Sequence, residues 1–277
     1  MSSSDPPGAT QRWRLDLAYD GQAFSGFAYQ PRHETVVGLL RSTLVSTLRL
    51  SDEPIIVGAG RTDAGVHAFH QVVHVDLPRA TKVRSLDGVR LANSLNKQLR
   101  GRVQILRAEP VPDDFHARFS ATWREYRYLV MENNAPGLNT TNTWAWSVAG
   151  PLDVAAMNRA GEQILGTHDF RAFCRRPSNS AAGDPLLRKV LAAHWERLDD
   201  YWVMSPRHVP ALRFSIRAQS FCHNMARCLV SAMVAIGRGT LDEGEMLKRL
   251  ASGDRHQMPQ PAPAAGLALI DVGYGDA

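Results

Sequence analysis

The densest group of chemistry-bearing residues is the stretch Gly58-Ala59-Gly60-Arg61-Thr62-Asp63-Ala64-Gly65-Val66-His67. Its glycines let the backbone take conformations closed to other residues. Arg61 and Asp63, two positions apart in such a loop, are held close to one another. One reading is a presented carboxylate with a local cation. The other is a tight turn in which the aspartate accepts backbone N–H groups. Spacing alone leaves both open.

His67, His70 and His74 invite a metal reading. Val72, Val73 and Val75 mark the stretch as a strand. Four strand residues span roughly 13 Å, too far for His70 and His74 to share an ion. Cys222, His223 and Cys228 make an incomplete set, and no metal site is expected. A two-carboxylate hydrolase wants a second acid in a set position, and none is comparably placed. There is no P-loop or dinucleotide fingerprint, and no cofactor is expected. Cys174, Cys222 and Cys228 form no CxxC pair and are expected to be free, mostly buried thiols.

The loop sequence GRTDAGVHA, followed by QVVHVDL, resembles the signature of the tRNA pseudouridine synthase A family. Further blocks are similar and stand in the same order. They are Pro112 to Thr122 (PDDFHARFSAT), Arg124-Glu125-Tyr126-Arg127-Tyr128, Gly166 to Phe170 (GTHDF), Phe221 to Arg227 (FCHNMAR) and Pro261 to Leu267 (PAPAAGL). The likeness runs over about residues 12–272. It implies Asp63 as the catalytic aspartate and Tyr126 as the ring that stacks on the target uracil. It implies Arg61 as a holder of the flipped nucleotide, Arg227 as the basic partner of the aspartate, and Leu267 as an apolar wall. It also implies a homodimer acting on tRNA, with uridines 38 to 40 of the anticodon arm as targets. Two positions depart from the family pattern: Phe27 replaces the usual Trp, and His70 replaces the usual Gly.

The implied reaction breaks the C1′–N1 bond, turns the uracil and rejoins it through C5. Nothing is oxidised, so no cofactor is needed. An ionised carboxylate is needed, and a buried Asp resists ionisation unless a cation offsets its desolvation. Arg227 falls in a predicted helix among apolar residues, where a guanidinium wants a carboxylate partner. Asp63 is the natural candidate; a surface arginine at a helix edge is the alternative. Asp63 can attack C6, attack C1′ or take a sugar proton, and the sequence does not choose among these. The base must be extruded from the RNA fold. Arg124, Tyr126, Tyr128 and Val130 share one face of a predicted strand. Both tyrosines either line a pocket or sit in the core with bonded hydroxyls. The Tyr126 hydroxyl is also a candidate base for the C5 proton.

These residues need elements to hold them. Residues 1–11 read as a disordered lead. Strands are expected at 12–19, 55–59, 69–77 and 103–109, with helices at 34–50 and 85–98. A boundary at Pro110–Pro112 separates a domain of residues 12–110 from one of residues 111–277. In the second, strands are expected at 121–131, 190–198, 201–205, 212–219 and 266–272, with helices at 153–165, 223–236 and 241–251. Gly166 is read as a helix stop, and 171–189 as a long basic loop. Arg175 and Arg176 in that loop are candidate tRNA backbone contacts. Mixed elements in both halves make the class α+β, and two similar halves suggest a cleft between them. The resemblance adds a long, mainly antiparallel sheet shared by both domains, with helices outside.

The chain has 277 residues, a net charge of +5 and a pI near 9.4. All but four of its 32 basic residues are arginines. Arginine forks onto phosphate and stacks on bases, though a GC-rich genome produces the same bias. No apolar run is long enough to span a bilayer and no secretion signal is visible, so a cytoplasmic protein without a membrane partner is expected. A catalytically inactive tRNA-binding paralogue is the competing reading; the retained GRTDAG and Tyr126 argue against it.

Overall fold

Alternation along Thr10–Tyr19 buries Trp13, Leu15, Leu17 and Tyr19 and makes this segment strand β1. The computed structural model describes residues 10–79, 87–132, 144–175, 184–198, 210–255 and 258–275. After β1 come α1 (Val36–Leu48), β2 (Ile56–Gly58), β3 (His67–Pro78), α2 (Gly88–Leu99), β4 (Val103–Pro110), β5 (Trp123–Glu132) and β6 (Trp146–Val148). Then follow α3 (Val154–Glu162), β7 (Gly166–Asp169), β8 (Leu187–Leu198), β9 (Ala211–Ala218), α4 (Met225–Gly237), α5 (Glu245–Ser252) and β10 (Leu267–Gly273). The chain packs as two units, residues 1–122 with 269–277, and residues 123–268. Each mixes helices with mainly antiparallel strands, so the α+β class holds. No helix among the described residues is long and apolar enough to cross a membrane.

In the first unit the strand order is β4-β1-β3-β10, with β2 also paired to β3. β1 lies antiparallel to both neighbours, Leu15 opposite Val73 of β3 and Ala108 of β4. Thr35 caps α1 by accepting from the Gly38 N–H. Helical spacing then buries Val36, Val37, Leu40, Leu44 and Leu48. The sequence reading divides the chain at Pro110–Pro112; the packing divides it after Thr122. Residues between these points bond to the first unit. Val111 N–H donates to Arg12 O at 2.9 Å, Ala117 N–H to His74 Nδ1 at 3.0 Å, and the Tyr274 hydroxyl to Ala117 O at 2.7 Å.

In the second unit the order is β5-β9-β8-β7, with β6 parallel to β5. Helix α3 packs on β8, where the Asn158 amide exchanges two hydrogen bonds with the Trp195 backbone. Trp195 stacks on Phe214, ring centroids 4.9 Å apart. Helix α4, apolar apart from Arg227 and Ser231, is buried on nearly every side.

Several expectations change. The helix expected at 153–165 stops at Glu162, because Gly166, with φ +89°, opens strand β7 against β8. The loop expected at 171–189 is shortened from its far end, since β8 begins at Leu187. Arg176 and the strand expected at 201–205 lie outside the described residues. Cys174 and Cys222 are not free: they are joined as a disulfide, Cα atoms 5.8 Å apart, while Cys228 is free and buried. The fold brings these distant positions together, and Arg175 N–H donates to His223 O beside them at 2.9 Å. In a reducing compartment the same geometry holds two adjacent thiols.

His70, the departure from the family glycine, bonds two carboxylates of its own unit. Nδ1 lies 2.6 Å from Asp271 Oδ1 and Nε2 lies 3.0 Å from Asp16 Oδ2. Ionised carboxylates only accept, so the ring satisfies both as an imidazolium. Its pKa is raised, first by the bond to Asp16 and further by Asp271, against the opposing effect of burial. Burial pushes the Asp16 carboxyl up, but bonds from His70 and Arg14 outweigh it, and the net shift is down. The histidine contribution is complete below its unfolded pKa of about 6.5 and is lost as pH rises through the raised folded value. The Asp16 contribution is present above about 3.9 and is lost as pH falls through its lowered folded value. The cluster therefore stabilises most between about pH 4 and 6.5. With His70 and Asp271 part-exposed, about 1 kcal/mol is expected after screening. His70→Gln should lower the melting temperature by about 2–4 °C at pH 6, with the gap closing by about pH 9. Thermal melts across pH test this; a gap independent of pH would exclude the imidazolium.

Candidate active site

The carboxylate of interest stands on the connection between β2 and β3 in the first unit. Ala59 N–H donates to Val72 O at 2.8 Å, which ties the start of the connection to the sheet. Val66 N–H donates to Asp63 O at 3.1 Å and closes a turn, in which Gly65 takes φ +81°. Closing the turn uses the main-chain oxygen of Asp63, so it does not require the carboxylate. The two readings of the loop are thus compatible. Asp63 is half-buried, Arg61 is exposed and Thr62 is buried.

The underside of this turn is held by side chains and by an adjacent segment. Gln71 Nε2 donates to Gly60 O at 3.1 Å. Phe27 N–H donates to Thr62 O at 3.1 Å. The Phe27 ring is 3% exposed, and a Cβ on Gly58 would lie 2.5 Å from it. Gly58 is therefore a close-approach glycine, and Phe27, the other departure from the family pattern, packs beneath the loop. Gly21 N–H donates to His67 Nδ1 at 3.2 Å. His74 Nδ1 accepts from Ala117, and burial lowers its pKa to about 4. The three histidines thus take separate partners; among the described residues no group of three or more potential ligands gathers to hold a metal.

The second unit carries Tyr126, Arg227 and Leu267. On β5 the side chains of Arg124, Tyr126, Tyr128 and Val130 all point to the buried face. β5 registers against β9, Tyr126 opposite Ile216 and Tyr128 opposite Phe214. Tyr126 is 7% exposed and meets Phe221 edge-on at 4.9 Å. Tyr128 is fully buried and donates its hydroxyl to Pro263 O at 2.8 Å; burial raises its pKa. For Tyr128 the core reading holds. Arg227, in the first turn of α4, donates Nε to Ala262 O at 2.7 Å, and its own carbonyl accepts from Ala262 N–H at 3.1 Å. Its Nη1 lies 3.3 Å from Asn224 Oδ1.

These bonds pin the Pro-rich segment before Leu267. A Cβ on Gly266 would lie 2.6 Å from the Tyr128 ring, so glycine is required there. Leu267 follows at 5% exposure. Tyr128, Arg227 and residues 262–267 therefore form one bonded cluster. Arg175 is exposed. A depression of about 580 Å³ on this unit is lined by Asp153, Asp242 and Glu243 among others. None of the motif residues lines it, and its acids would repel a phosphate backbone.

Sequence reasoning missed Tyr19, Thr62 and Gln71 as supports. The visible signals were a polar Gln in an apolar strand run and a hydroxyl directly before Asp63.

A family profile described as tRNA pseudouridine synthase matches residues 17–120 and 160–275. The chain is similar to a tRNA pseudouridine synthase A of Cutibacterium acnes, 39% identical over 263 residues, covering 95% of this chain and 88% of the relative. It is 40% identical to that of Frankia casuarinae over 265 residues, covering 95% and 89%. It is 37% identical to that of Brevibacillus brevis over 266 residues, covering 95% and 100%. The likeness spans both units and includes the anchored aspartate turn. The chain therefore belongs to the tRNA pseudouridine synthase family, isomerases that convert uridine to pseudouridine.

Proposed function

We propose that the enzyme isomerises uridines 38 to 40 in the anticodon arm, with Asp63 as catalytic carboxylate, and that it works in the cytoplasm as a homodimer without a cofactor. The observation that carries the site assignment is the Asp63 turn, anchored through Ala59, Gly60 and Thr62 with its own closure on Asp63 O. A carboxylate carried this way keeps its place while the substrate adjusts. Anticodon-arm targets and dimerisation rest on the order and content of the motif blocks. An inert tRNA-binding paralogue is not favoured, since it would have no need for an aspartate held by so many bonds.

Within this proposal the first unit supplies Asp63 and Arg61. The exposed Arg61 guanidinium binds the flipped nucleotide through its phosphate or base. On the second unit, Tyr126 serves as stacking ring, Leu267 as apolar wall and Arg227 as a basic residue. Arg227 is already half-committed to the 262 loop through Nε. The Tyr126 hydroxyl takes the C5 proton directly or through water.

Mapping pseudouridine in anticodon arms with wild-type enzyme and with Asp63→Asn tests substrate and residue together. Product at 38 to 40 with wild type, and background with the variant, is expected. Tyr126→Phe should slow turnover by about a hundredfold or more with tRNA affinity nearly unchanged; near-normal turnover would reduce Tyr126 to a stacking role. If exposed Arg175 meets phosphate, Arg175→Gln should flatten the slope of log affinity against log salt by about 0.9. An unaltered slope would take Arg175 out of the footprint.

A further inference from the structure

We propose that Tyr19 and Thr62 are positioning residues, joined by one buried hydrogen bond that sets where the Asp63 carboxylate stands. This rests on the reading of Asp63 as the catalytic group. The Tyr19 hydroxyl lies 2.9 Å from Thr62 Oγ1, with Tyr19 5% exposed and Thr62 6% exposed. Tyr19 ends β1 and is paired on both sides, with Ala68 of β3 and Val103 of β4. Its ring stacks on Phe27 at 6.5 Å and meets Phe24 edge-on at 6.3 Å. A ring wedged between two others cannot swing, so its hydroxyl is a fixed point. Thr62 is the residue immediately before Asp63.

Ala59 is held through its N–H, but beyond it the main-chain anchors described above hold carbonyl oxygens: Gly60 O by Gln71, Thr62 O by Phe27 and Asp63 O by Val66. A peptide plane held at its oxygen can still rock about that bond. Tying the Thr62 side chain to the sheet removes this freedom at the residue that directs the chain into Asp63. Burial raises the Tyr19 hydroxyl to about 12, so it stays protonated and able to pair with Thr62 at any working pH. Losing the Tyr19 hydroxyl leaves buried Thr62 Oγ1 without this bond, and losing the Thr62 hydroxyl leaves Tyr19 held only by the Gln71 side chain; in either case the turn would shift to relieve it. Small displacements of a reacting group are costly in rate and nearly invisible in binding.

The test measures single-turnover tritium release from C5-labelled tRNA at saturating enzyme, tRNA affinity by filter binding, and folding by thermal melt. The proteins are Tyr19→Phe, Thr62→Val, their double variant, Thr62→Ser and Asp63→Asn. Both single variants keep shape and remove one hydroxyl. Each should slow the chemical step by about tenfold while tRNA affinity stays within about twofold of wild type. The double variant should be no slower than the slower single, since both remove the same bond, and Thr62→Ser should restore the rate. Single-variant rates within about twofold of wild type, with Asp63→Asn inactive, overturn the positioning role and leave the Asp63 reading standing. So does a loss that appears equally in affinity, or one that Thr62→Ser does not repair. An active Asp63→Asn sinks the underlying reading instead.

Discussion

The turn that carries Asp63 follows one fixed course, closed by its own backbone and tied to the sheet beneath it. Each ordered backbone residue costs about 1–2 kcal/mol of conformational entropy, so a fixed loop needs bonds to hold it. Between Gly58 and His67 this chain places a bond at nearly every position that has one to make. Ala59 ties to Val72, Gly60 to Gln71, Thr62 to Phe27 and Tyr19, and Asp63 to Val66. All partners belong to the first unit, so the turn is set by its own sheet and needs no substrate to order it. This prior ordering is the constraint to which the rest of the site answers.

The second unit solves the same problem with different means. Its Pro-rich segment has no regular ladder, so Pro263 O is satisfied by the Tyr128 hydroxyl and Ala262 by both ends of Arg227. Buried polar groups without partners are expensive, and these bonds leave the segment one way to lie. Gly266 allows the Tyr128 ring to press against the backbone, which sets where Leu267 begins β10. Tyr126, two residues along the same strand face, inherits its position from the β5–β9 register.

Charge needs a finer reading than the net value allows. Many arginines are paired with acids on the protein itself: Arg12 with Asp76, Arg14 with Asp16, Arg213 with Glu196, and both Arg127 and Arg217 with Glu125. These pairs contribute little to the attraction of a polyanion. Exposed cations such as Arg61 and Arg175 add more to the attraction of a polyanion than the total does. His70 is a local case of the same economy, balancing two carboxylates whose repulsion the family glycine could not offset.

By itself the sequence determined the class and the family and pointed to Asp63 as the candidate carboxylate, because these are written in local patterns. Strand alternation, helical spacing and the glycine-bounded Asp63 stretch act over a few residues, so β1, α1, β3 and α4 were legible to within a few positions. Only the tertiary structure decided what depends on residues far apart in the chain. It showed Gly166 opening a strand, because the partner strand β8 begins some twenty residues later. It paired Cys174 with Cys222 across a separation of 48. It turned Phe27 from an oddity of the pattern into the floor of the turn, and gave Tyr128 a carbonyl to bond. It also joined Tyr19 to Thr62, 43 residues apart. Local pattern records which face of an element is buried; it holds no record of which distant atom waits there, and hydrogen bonds across the core are decided by that second fact.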